Sequence, residues 1–345
     1  MKLSPIFCDN AVFAENKPVR VFGEGDGEIT VEFAGAAVKT TACGGKWSAE
    51  LPPVKAGGPF SLTVTSGSET ETLNNVYVGR VYLLIGQSNA EFRLTESNTP
   101  EELYKTDPLF RGYFVKRPWI TPDVMPEKWA EAEADNVGAW SAIAYLTGKK
   151  VREEKGGAVG FISCFQGASI IESWLPADKA EKFALPPEQL HIDHTFPEYT
   201  AWNRGGVIYE KMLSPLFPFS LSGVVWYQGE SDTTTGEAKI YKDELECLIS
   251  TVREKTNDPD LPFVIVQIAD FDPRRDEGWR AIQDAQIKAA GEIPGCAAVV
   301  SSDVCETDAI HPPTKTLLSE RIASALIRLT DQPGGQAARF AFRKA

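Results

Sequence analysis

The chain has 345 residues, a formal net charge of −13 and 43% hydrophobic residues, a composition typical of globular proteins rather than of disordered or fibrous ones. This length predicts one large domain with an appendage, or two domains. No apolar run approaches the ~20 residues of a membrane helix, and an acidic chain without a Lys/Arg cluster argues against a nucleic-acid partner. The N-terminal segment MKLSPIFCDN has no apolar signal core, so we expect a cytoplasmic protein, or a secreted or periplasmic one if a leader has been removed.

The first part of the chain consists of short alternating runs broken by turn residues. VRVFGEG, EITVEFAG and FSLTVTSG place β-branched and aromatic residues at alternate positions, with Gly, Pro or Asn between the runs. This pattern is typical of a small all-β domain. We therefore predict a β-sandwich over residues 1–78.

From residue 79 the pattern changes to short apolar runs that alternate with helical periodicity. Leu318, Ile322, Ala325 and Leu329, for example, form one apolar stripe. Such alternation predicts an α/β domain with a parallel sheet, of flavodoxin-like three-layer winding, over 79–331. The tail, 332–345, is a candidate strand returning to the β-domain. The predicted strands are VYLLI (81–85), RGYFV (111–115), AVGFISCF (158–165), GVVWY (223–227), FVIVQIA (263–269) and CAAVVSS (296–302).

Three connecting segments, 93–107, 116–137 and 170–202, are longer than typical connections in a compact domain. They are rich in Pro, Asp and Trp. We expect them to overhang the carboxyl edge of the sheet, where they are candidates to close over a ligand.

A serine follows the first strand of the α/β region. Ser88 lies in Gly86-Gln87-Ser88-Asn89-Ala90, directly after VYLLI. A strand–turn–helix segment presents such a serine at the top edge of a sheet, and the helix N-terminus favours a developing negative charge. Ser88 is therefore a candidate nucleophile, the alternative being an ordinary turn or N-cap residue.

A histidine and an aspartate follow the last strand. Asp308 precedes His311 by three residues in DAIHPP, just before the C-terminal helical pattern. A carboxylate in this position can accept the Nδ1–H of the imidazole and leave Nε2 free to take a serine proton. The alternative is a capping aspartate and a surface histidine before a helix that begins with proline. Asp303 and Glu306 are the second choices for the acid.

Two further polar turns follow predicted strands. Gln166-Gly167-Ala168-Ser169 comes after AVGFISCF, and Gln228-Gly229-Glu230-Ser231-Asp232 comes after GVVWY. Ligands bind at the carboxyl ends of strands in open α/β sheets. A glycine N–H and a side-chain amide that point at one place can form an oxyanion hole. Four such elements at the ends of four strands favour a single site.

Together these segments resemble a known family. LLIGQSNAEF, CFQGASIIESWLP, GVVWYQGESD and DAIHPPTK are similar to the conserved blocks of the SGNH (GDSL-like) hydrolases, in particular their sialate O-acetylesterase and carbohydrate acetylesterase branch. The β-rich start is similar to the N-terminal β-domain of that branch. The sequence departs from the family pattern where QGESD replaces the more usual QGESN and where CFQGAS replaces a Gly-Gly-Thr-Ser type of turn.

The resemblance implies a serine esterase that removes O-acetyl groups from carbohydrates, first of all from sialic acids, without a cofactor. Ser88 would be the nucleophile, His311 the general base and acid, and Asp308 its orienting carboxylate. The backbone N–H groups of Ser88 and Gly167 and the Gln228 side chain would form the oxyanion hole. Additional residues are candidates to support these groups or to contact the O-acetylated sugar: Gln87, Asn89, Glu230, Trp174 and Arg204.

Metal chemistry is not predicted. His191 and His194 in HIDH could form a metal-binding pair, but the sequence shows no third ligand. We therefore expect no metal site and interpret the pair as part of a loop.

Three other functions remain as alternatives. The first is an acetylesterase for xylan or another plant polysaccharide, which no sequence feature separates from a sialate esterase. The second is a carbohydrate-binding protein without catalytic activity, which intact Ser88, Asp308 and His311 disfavour. The third, a thioesterase or lipase, is disfavoured because the predicted loops are polar and aromatic rather than a continuous apolar channel.

Overall fold

The computed structural model describes residues 1–120, 123 and 125–332. The proposed C-terminal strand within 332–345 thus lies almost wholly outside the described residues. The first strands are β1 (Lys2–Leu3), β2 (Val12–Ala14), β3 (Val19–Glu24), β4 (Glu28–Phe33), β5 (Ala36–Thr41), β6 (Lys46–Leu51) and β7 (Gly57–Ser66). The later strands are β8 (Glu69–Gly86), β9 (Asp107–Phe114), β10 (Trp129–Ala132), β11 (Ala158–Phe165), β12 (Gly223–Tyr227), β13 (Phe263–Val266) and β14 (Cys296–Val299).

Six α-helices follow or separate the later strands within the described ranges. They are α1 (Ser88–Glu91), α2 (Ala142–Lys155), α3 (Ala177–Ala180), α4 (Thr235–Lys255), α5 (Glu277–Glu292) and α6 (Thr316–Asp331). One π-helical turn spans Tyr209–Leu213. Short 3₁₀ turns span Leu94–Glu96, Glu101–Leu103, Val137–Ala139, Ile171–Trp174, Glu181–Phe183, Pro187–Gln189, Ile192–His194, Ser214–Leu216 and Asp272–Arg274.

A large mixed sheet forms the centre of the molecule. Its strand order is β10-β9-β11-β8-β12-β13-β14. Within this order the pairs from β9 to β14 are parallel, and β10 pairs antiparallel with β9. All six predicted strands are present, and β11 and β12 have the predicted limits. Strand β10, which lies within the segment 116–137, was not predicted from the sequence.

Helices cover both faces of this sheet. Along β8, Val81, Leu83 and Ile85 belong to one buried apolar cluster, and Tyr82 and Leu84 belong to another. Successive side chains of a strand point to opposite faces, so a strand covered on both sides is apolar throughout. Helices α4 and α5 contribute to the first cluster, whereas α2 and α6 contribute to the second. The continuous apolar run VYLLI follows from this double burial.

The N-terminal strands are connected to the large sheet through β8. β7 pairs with β8 over Glu69–Val78, and β2 pairs with it at Tyr77–Gly79. The second half of the same strand pairs with β11 and β12. Strands β4 and β5 extend the β7 edge, and β1, β3 and β6 form a separate three-stranded sheet. The predicted boundary between 78 and 79 therefore falls inside one continuous strand.

Candidate active site

Ser88 is positioned by a tight turn at the end of β8. Gly86 has a φ of +148°, and a Cβ there would lie 2.0 Å from the carbonyl oxygen of Tyr227. Any larger residue would clash there, so only glycine allows the ends of β8 and β12 to come this close. The next N–H, of Gln87, donates to the same Tyr227 oxygen over 3.1 Å. The turn thereby places Ser88 at the first position of α1, at the carboxyl edge of the sheet.

His311 contacts Ser88 directly. Its Nε2 lies 2.8 Å from Ser88 Oγ, although 223 positions separate the two residues. Burial lowers the pKa of His311, the nearby Lys315 ammonium lowers it further, and Glu96 opposes the shift. A lowered pKa keeps the imidazole neutral over a wider pH range, so that Nε2 can accept the hydroxyl proton of Ser88.

The structure does not show the expected contact between Asp308 and His311. Asp308 is exposed, and no hydrogen bond joins its carboxylate to His311 among the described residues. The two second choices have other partners. Asp303 forms an ion pair with Arg321, with 2.7 Å between Oδ2 and Nη2, and Glu306 accepts the Thr314 N–H over 3.1 Å.

Gly167 lies beside the serine. A Cβ on Gly167 would be 3.8 Å from Ser88 Cβ, so the turn after β11 passes directly next to the candidate nucleophile. In the described part of the chain, neither the Ser88 N–H nor the Gly167 N–H has a hydrogen-bond acceptor. Two free backbone donors beside a serine hydroxyl are suited to bind an oxyanion.

Gln228, by contrast, has no donor to offer. Its Nε2 donates to the Ser169 carbonyl oxygen over 2.8 Å and to the Asp232 carboxylate, and its Oε1 accepts the Tyr241 hydroxyl over 2.9 Å. The side chain is completely buried. Its predicted place as an oxyanion donor is therefore not supported, because both amide hydrogens are already bound within the protein.

A buried polar network lies behind the serine. Asn89 Nδ2 donates to Glu230 Oε1 over 2.7 Å and to the Ile310 carbonyl oxygen over 2.9 Å. Lys315 Nζ donates to Asn89 Oδ1 over 2.8 Å. Burial lowers the pKa of Lys315 to about 8 and raises that of Glu230. The network connects α1, the turn after β12 and the His311 segment, so Asn89 and Glu230 join the segments that carry Ser88 and His311.

Gln87 connects the same loops from the other side. Its Oε1 accepts the Gly229 N–H over 3.2 Å, and its Nε2 donates to Ser231 Oγ over 3.3 Å. Lys315 was not among the residues predicted for the site. The signal available was a lysine four positions after His311 in HPPTK, at the start of an amphipathic helix that buries this residue.

Arg117 and Trp119, at the start of the segment 116–137, contact the segments that carry Ser88 and Gly167. Arg117 is buried, forms an ion pair with Glu91 of α1, and contacts Asp123 over 2.7 Å. Trp119 Nε1 donates to Gln166 Oε1 over 2.6 Å, next to Gly167, and its ring stacks on Trp202 at 5.8 Å between ring centroids. Partly buried aromatic rings at a polar edge are suited to contact a sugar face.

The two predicted sugar contacts differ in their exposure. Trp174 is fully buried, packs edge-on against Trp226 and donates to Ser169 Oγ over 3.0 Å. A ring enclosed in the core cannot meet a ligand, so burial excludes the sugar contact and leaves the other predicted role of Trp174, support of the site. Arg204 is exposed and lines a surface cleft with Trp119.

The two histidines of HIDH contact different groups of residues. His191 Nε2 lies 2.7 Å from Arg274 Nη2, and its Nδ1 accepts the Asp193 N–H over 3.2 Å. His194 instead approaches Glu172 and Asp232, and the three candidate ligand atoms lie within 4.8 Å of one another. The cluster thus contains one histidine of the pair and two acids from distant segments, and His191 is not part of it.

Known proteins are similar to this chain over most of its length. The sequence profile of the family "Carbohydrate esterase, sialic acid-specific acetylesterase" matches residues 194–328. The human sialate O-acetylesterase is 26% identical over 315 residues, which cover 80% of this chain and 59% of the human protein. The mouse sialate O-acetylesterase is 25% identical over 366 residues, covering 84% and 67% of the two chains. The chain therefore spans about three fifths of the length of its human relative.

A solved structure extends the similarity to the fold. The crystal structure of a carbohydrate acetylesterase from Xanthomonas citri superposes with a TM-score of 0.83 at 27% identity, covering 96% of this chain and 75% of the other. These matches confirm the resemblance to the sialate O-acetylesterase and carbohydrate acetylesterase branch. In the part of the chain that the structure describes, no helix is both long and apolar enough to cross a membrane.

Proposed function

We propose that this chain, a relative of the sialate O-acetylesterases and carbohydrate acetylesterases, is a serine esterase that removes O-acetyl groups from carbohydrates. The observation that carries the proposal is the 2.8 Å contact between Ser88 Oγ and His311 Nε2 at the carboxyl edge of the sheet. The names of the curated relatives favour O-acetylated sialic acid as the first substrate to test.

The chemistry begins with proton transfer. His311 Nε2 accepts the proton of Ser88 Oγ while this oxygen forms a bond to the acetyl carbonyl carbon, and the carbonyl π electrons move to oxygen. As the tetrahedral intermediate collapses, the bond to the sugar oxygen breaks and Nε2–H protonates it. A water molecule then attacks the acetyl-serine with His311 again as the base, and acetate leaves with Ser88 restored.

The negative oxygen of the intermediate would be held by the backbone N–H groups of Ser88 and Gly167. Both lack an acceptor among the described residues, and the N-terminus of α1 adds a favourable dipole. Gln228 would support this hole from behind by fixing Ser169 and Asp232 rather than by donating to substrate.

We retain Asp308 as the proposed orienting carboxylate of His311. It lies three residues before His311 on the same segment, and catalytic hydrogen bonds in unliganded proteins often form fully only with substrate bound. This role needs a rearrangement that brings the exposed Asp308 side chain to Nδ1 of His311.

We also propose a two-part architecture of flavodoxin-like winding. In chain order β8, β11, β12, β13 and β14 are the first to fifth of these strands, so their spatial order is 2-1-3-4-5, with helices packed on both faces. The strands before β8 would form the β-sandwich module of 1–78, joined to the SGNH-like domain of 79–331 through β8.

Acetate release tests the function. The enzyme would be given 9-O-acetylated sialic acid and acetylated xylo-oligosaccharide side by side, because a polysaccharide acetylesterase is the nearest alternative. Ser88→Ala should reduce release by at least about 10⁴-fold. Ser68→Ala, in the exposed turn between β7 and β8, is the matched control and should match the wild type.

Two results would contradict the proposal. Acetate release that survives Ser88→Ala would exclude the serine mechanism. Sugar binding without any release by the folded wild type would favour the carbohydrate-binding alternative.

A further inference from the structure

Three segments that are distant in sequence place metal-binding side chains together beneath the candidate site. Glu172 lies on the 3₁₀ turn after β11, His194 ends the turn Ile192–His194, and Asp232 follows β12. One ligand atom from each lies within 4.8 Å of the other two. Donors that are each about 2.0–2.2 Å from Zn²⁺ lie up to roughly 4.4 Å apart, so small side-chain shifts would bring all three onto one ion.

Among the residues that the structure describes, the two carboxylates of this cluster have no lysine or arginine partner. Glu172 is 8% exposed and its Oε2 has no hydrogen-bond partner. Within the described ranges, neither Glu172 nor Asp232 forms an ion pair with a lysine or arginine, and the nearest base to Glu172 is His194, with 4.0 Å between Oε1 and Nε2. Buried carboxylates are normally paired or bound to a metal.

Neighbouring acids add to the negative charge. Glu237 Oε1 lies 2.8 Å from His194 Nε2 and accepts the His191 N–H over 2.7 Å. Glu244 is 1% exposed, and its Oε1 also has no partner. The carboxyl groups of Glu172, Glu237 and Glu244 all lie close enough to interact electrostatically with that of Asp232. A divalent cation would relieve this repulsion.

We propose that Glu172, His194 and Asp232 bind one divalent cation. Two carboxylates and a neutral imidazole balance a double positive charge, and the mixed oxygen and nitrogen donors favour Zn²⁺ or Mn²⁺ over Ca²⁺, which takes oxygen ligands. Glu172 and His194 both line a surface cleft with Asn203 and Arg204, which gives the ion a path from solvent.

The ion has a structural place in the fold. Asp232 accepts the Ile171 N–H over 3.3 Å and a hydrogen bond from Gln228. A cation there fixes the segment 170–202 to the turn after β12, and through Gln228 it fixes the backbone next to Gln87 and Ser88. It takes no part in the ester chemistry, so this inference is independent of the proposed function.

The test measures metal binding directly. The full chain, stripped with EDTA and dialysed, would be titrated with ZnCl₂ or MnCl₂, and bound metal counted after gel filtration. We expect one ion per chain, and at a hundredfold excess over Kd the Tm should rise by about 4 °C. MgCl₂ and CaCl₂ should give a smaller shift.

Nearly isosteric variants identify the ligands. Asp232→Asn and Glu172→Gln should each reduce bound metal below one tenth of an ion per chain and abolish the rise in Tm. Glu181→Gln changes an exposed acid on the rim of the same cleft and should bind as the wild type does.

The proposal is overturned if the folded wild type binds neither Zn²⁺ nor Mn²⁺. It is equally overturned if Asp232→Asn and Glu172→Gln bind metal as tightly as the wild type. If one of the two variants does not fold, the other decides.

Discussion

Lys315 Nζ donates a hydrogen bond to Asn89 Oδ1 over 2.8 Å, on the residue that follows the candidate nucleophile Ser88. The ammonium also lies 5.1 Å from the ring centroid of Phe92 and 5.6 Å from that of Tyr227. The buried Lys315 ammonium thus stabilises the turn that carries Ser88, and it also lowers the pKa of His311.

Lys315→Met should shift the pH profile of the reaction. The Lys315 charge lowers the pKa of His311, so removing the charge raises this pKa. The acidic limb of kcat/KM should therefore move to higher pH, since His311 must be neutral to act as the base. The control is Lys182→Met, an exposed lysine. An unchanged acidic limb in Lys315→Met would show that this lysine does not act on His311.

Lys315 should also make stability depend on pH in the alkaline range. Burial lowers its pKa to about 8 from an ordinary 10.5. Burying the charged lysine therefore reduces the free energy of unfolding, and this reduction is largest below pH 8. The reduction amounts to about 3 kcal/mol, and it disappears as the pH rises through 10.5. Urea unfolding between pH 7 and 10.5 should show the wild type gaining stability relative to Lys315→Met. Parallel curves for the two proteins would refute the shifted pKa.

Gln228→Ala should lower both the free energy of unfolding and kcat. The substitution removes hydrogen bonds to Ser169, Asp232 and Tyr241 in a fully buried place, and each buried group left unpaired costs about 1–3 kcal/mol. Urea unfolding and kcat should be measured on the same sample. A variant as stable as the wild type, with kcat lowered about 10²-fold or more, would instead restore Gln228 as an oxyanion donor.

Asp308→Asn tests the acid of the proposed triad. If Asp308 orients His311 when substrate is bound, kcat should fall by about 10²–10⁴-fold, because the amide cannot hold the required tautomer. Glu306→Gln, which changes an acid two positions earlier that contacts Thr314, should retain most of the activity. A larger loss of kcat in Glu306→Gln than in Asp308→Asn would assign the orienting role to Glu306.

Local patterns in the sequence were sufficient to predict six strands of the central sheet and to select Ser88 and His311 as candidates for one site. A strand buried on both faces must be apolar throughout, so VYLLI, AVGFISCF and GVVWY could be recognised as they stand, and the polar turns after them had to meet at one edge. The contact between Ser88 and His311 follows from this rule, because both residues follow parallel strands of the same sheet.

Other features depend on how side chains pack across distant segments. From the sequence, the side-chain amide of Gln228 could be expected to donate to the substrate. The fold instead surrounds it with Ser169, Asp232 and Tyr241, which take its hydrogen bonds. The sequence likewise could not separate a buried Trp174 from an exposed one, since a tryptophan suits both places.

The sequence by itself determined the strand and helix patterns and the residues able to do ester chemistry, because these depend on periodicity and on residue type. Only the tertiary structure decided that β8 belongs both to the N-terminal strands and to the central sheet. It alone also brought Glu172, His194 and Asp232 together. Such contacts join residues from separate segments of the chain, and local patterns do not specify which distant segments will meet.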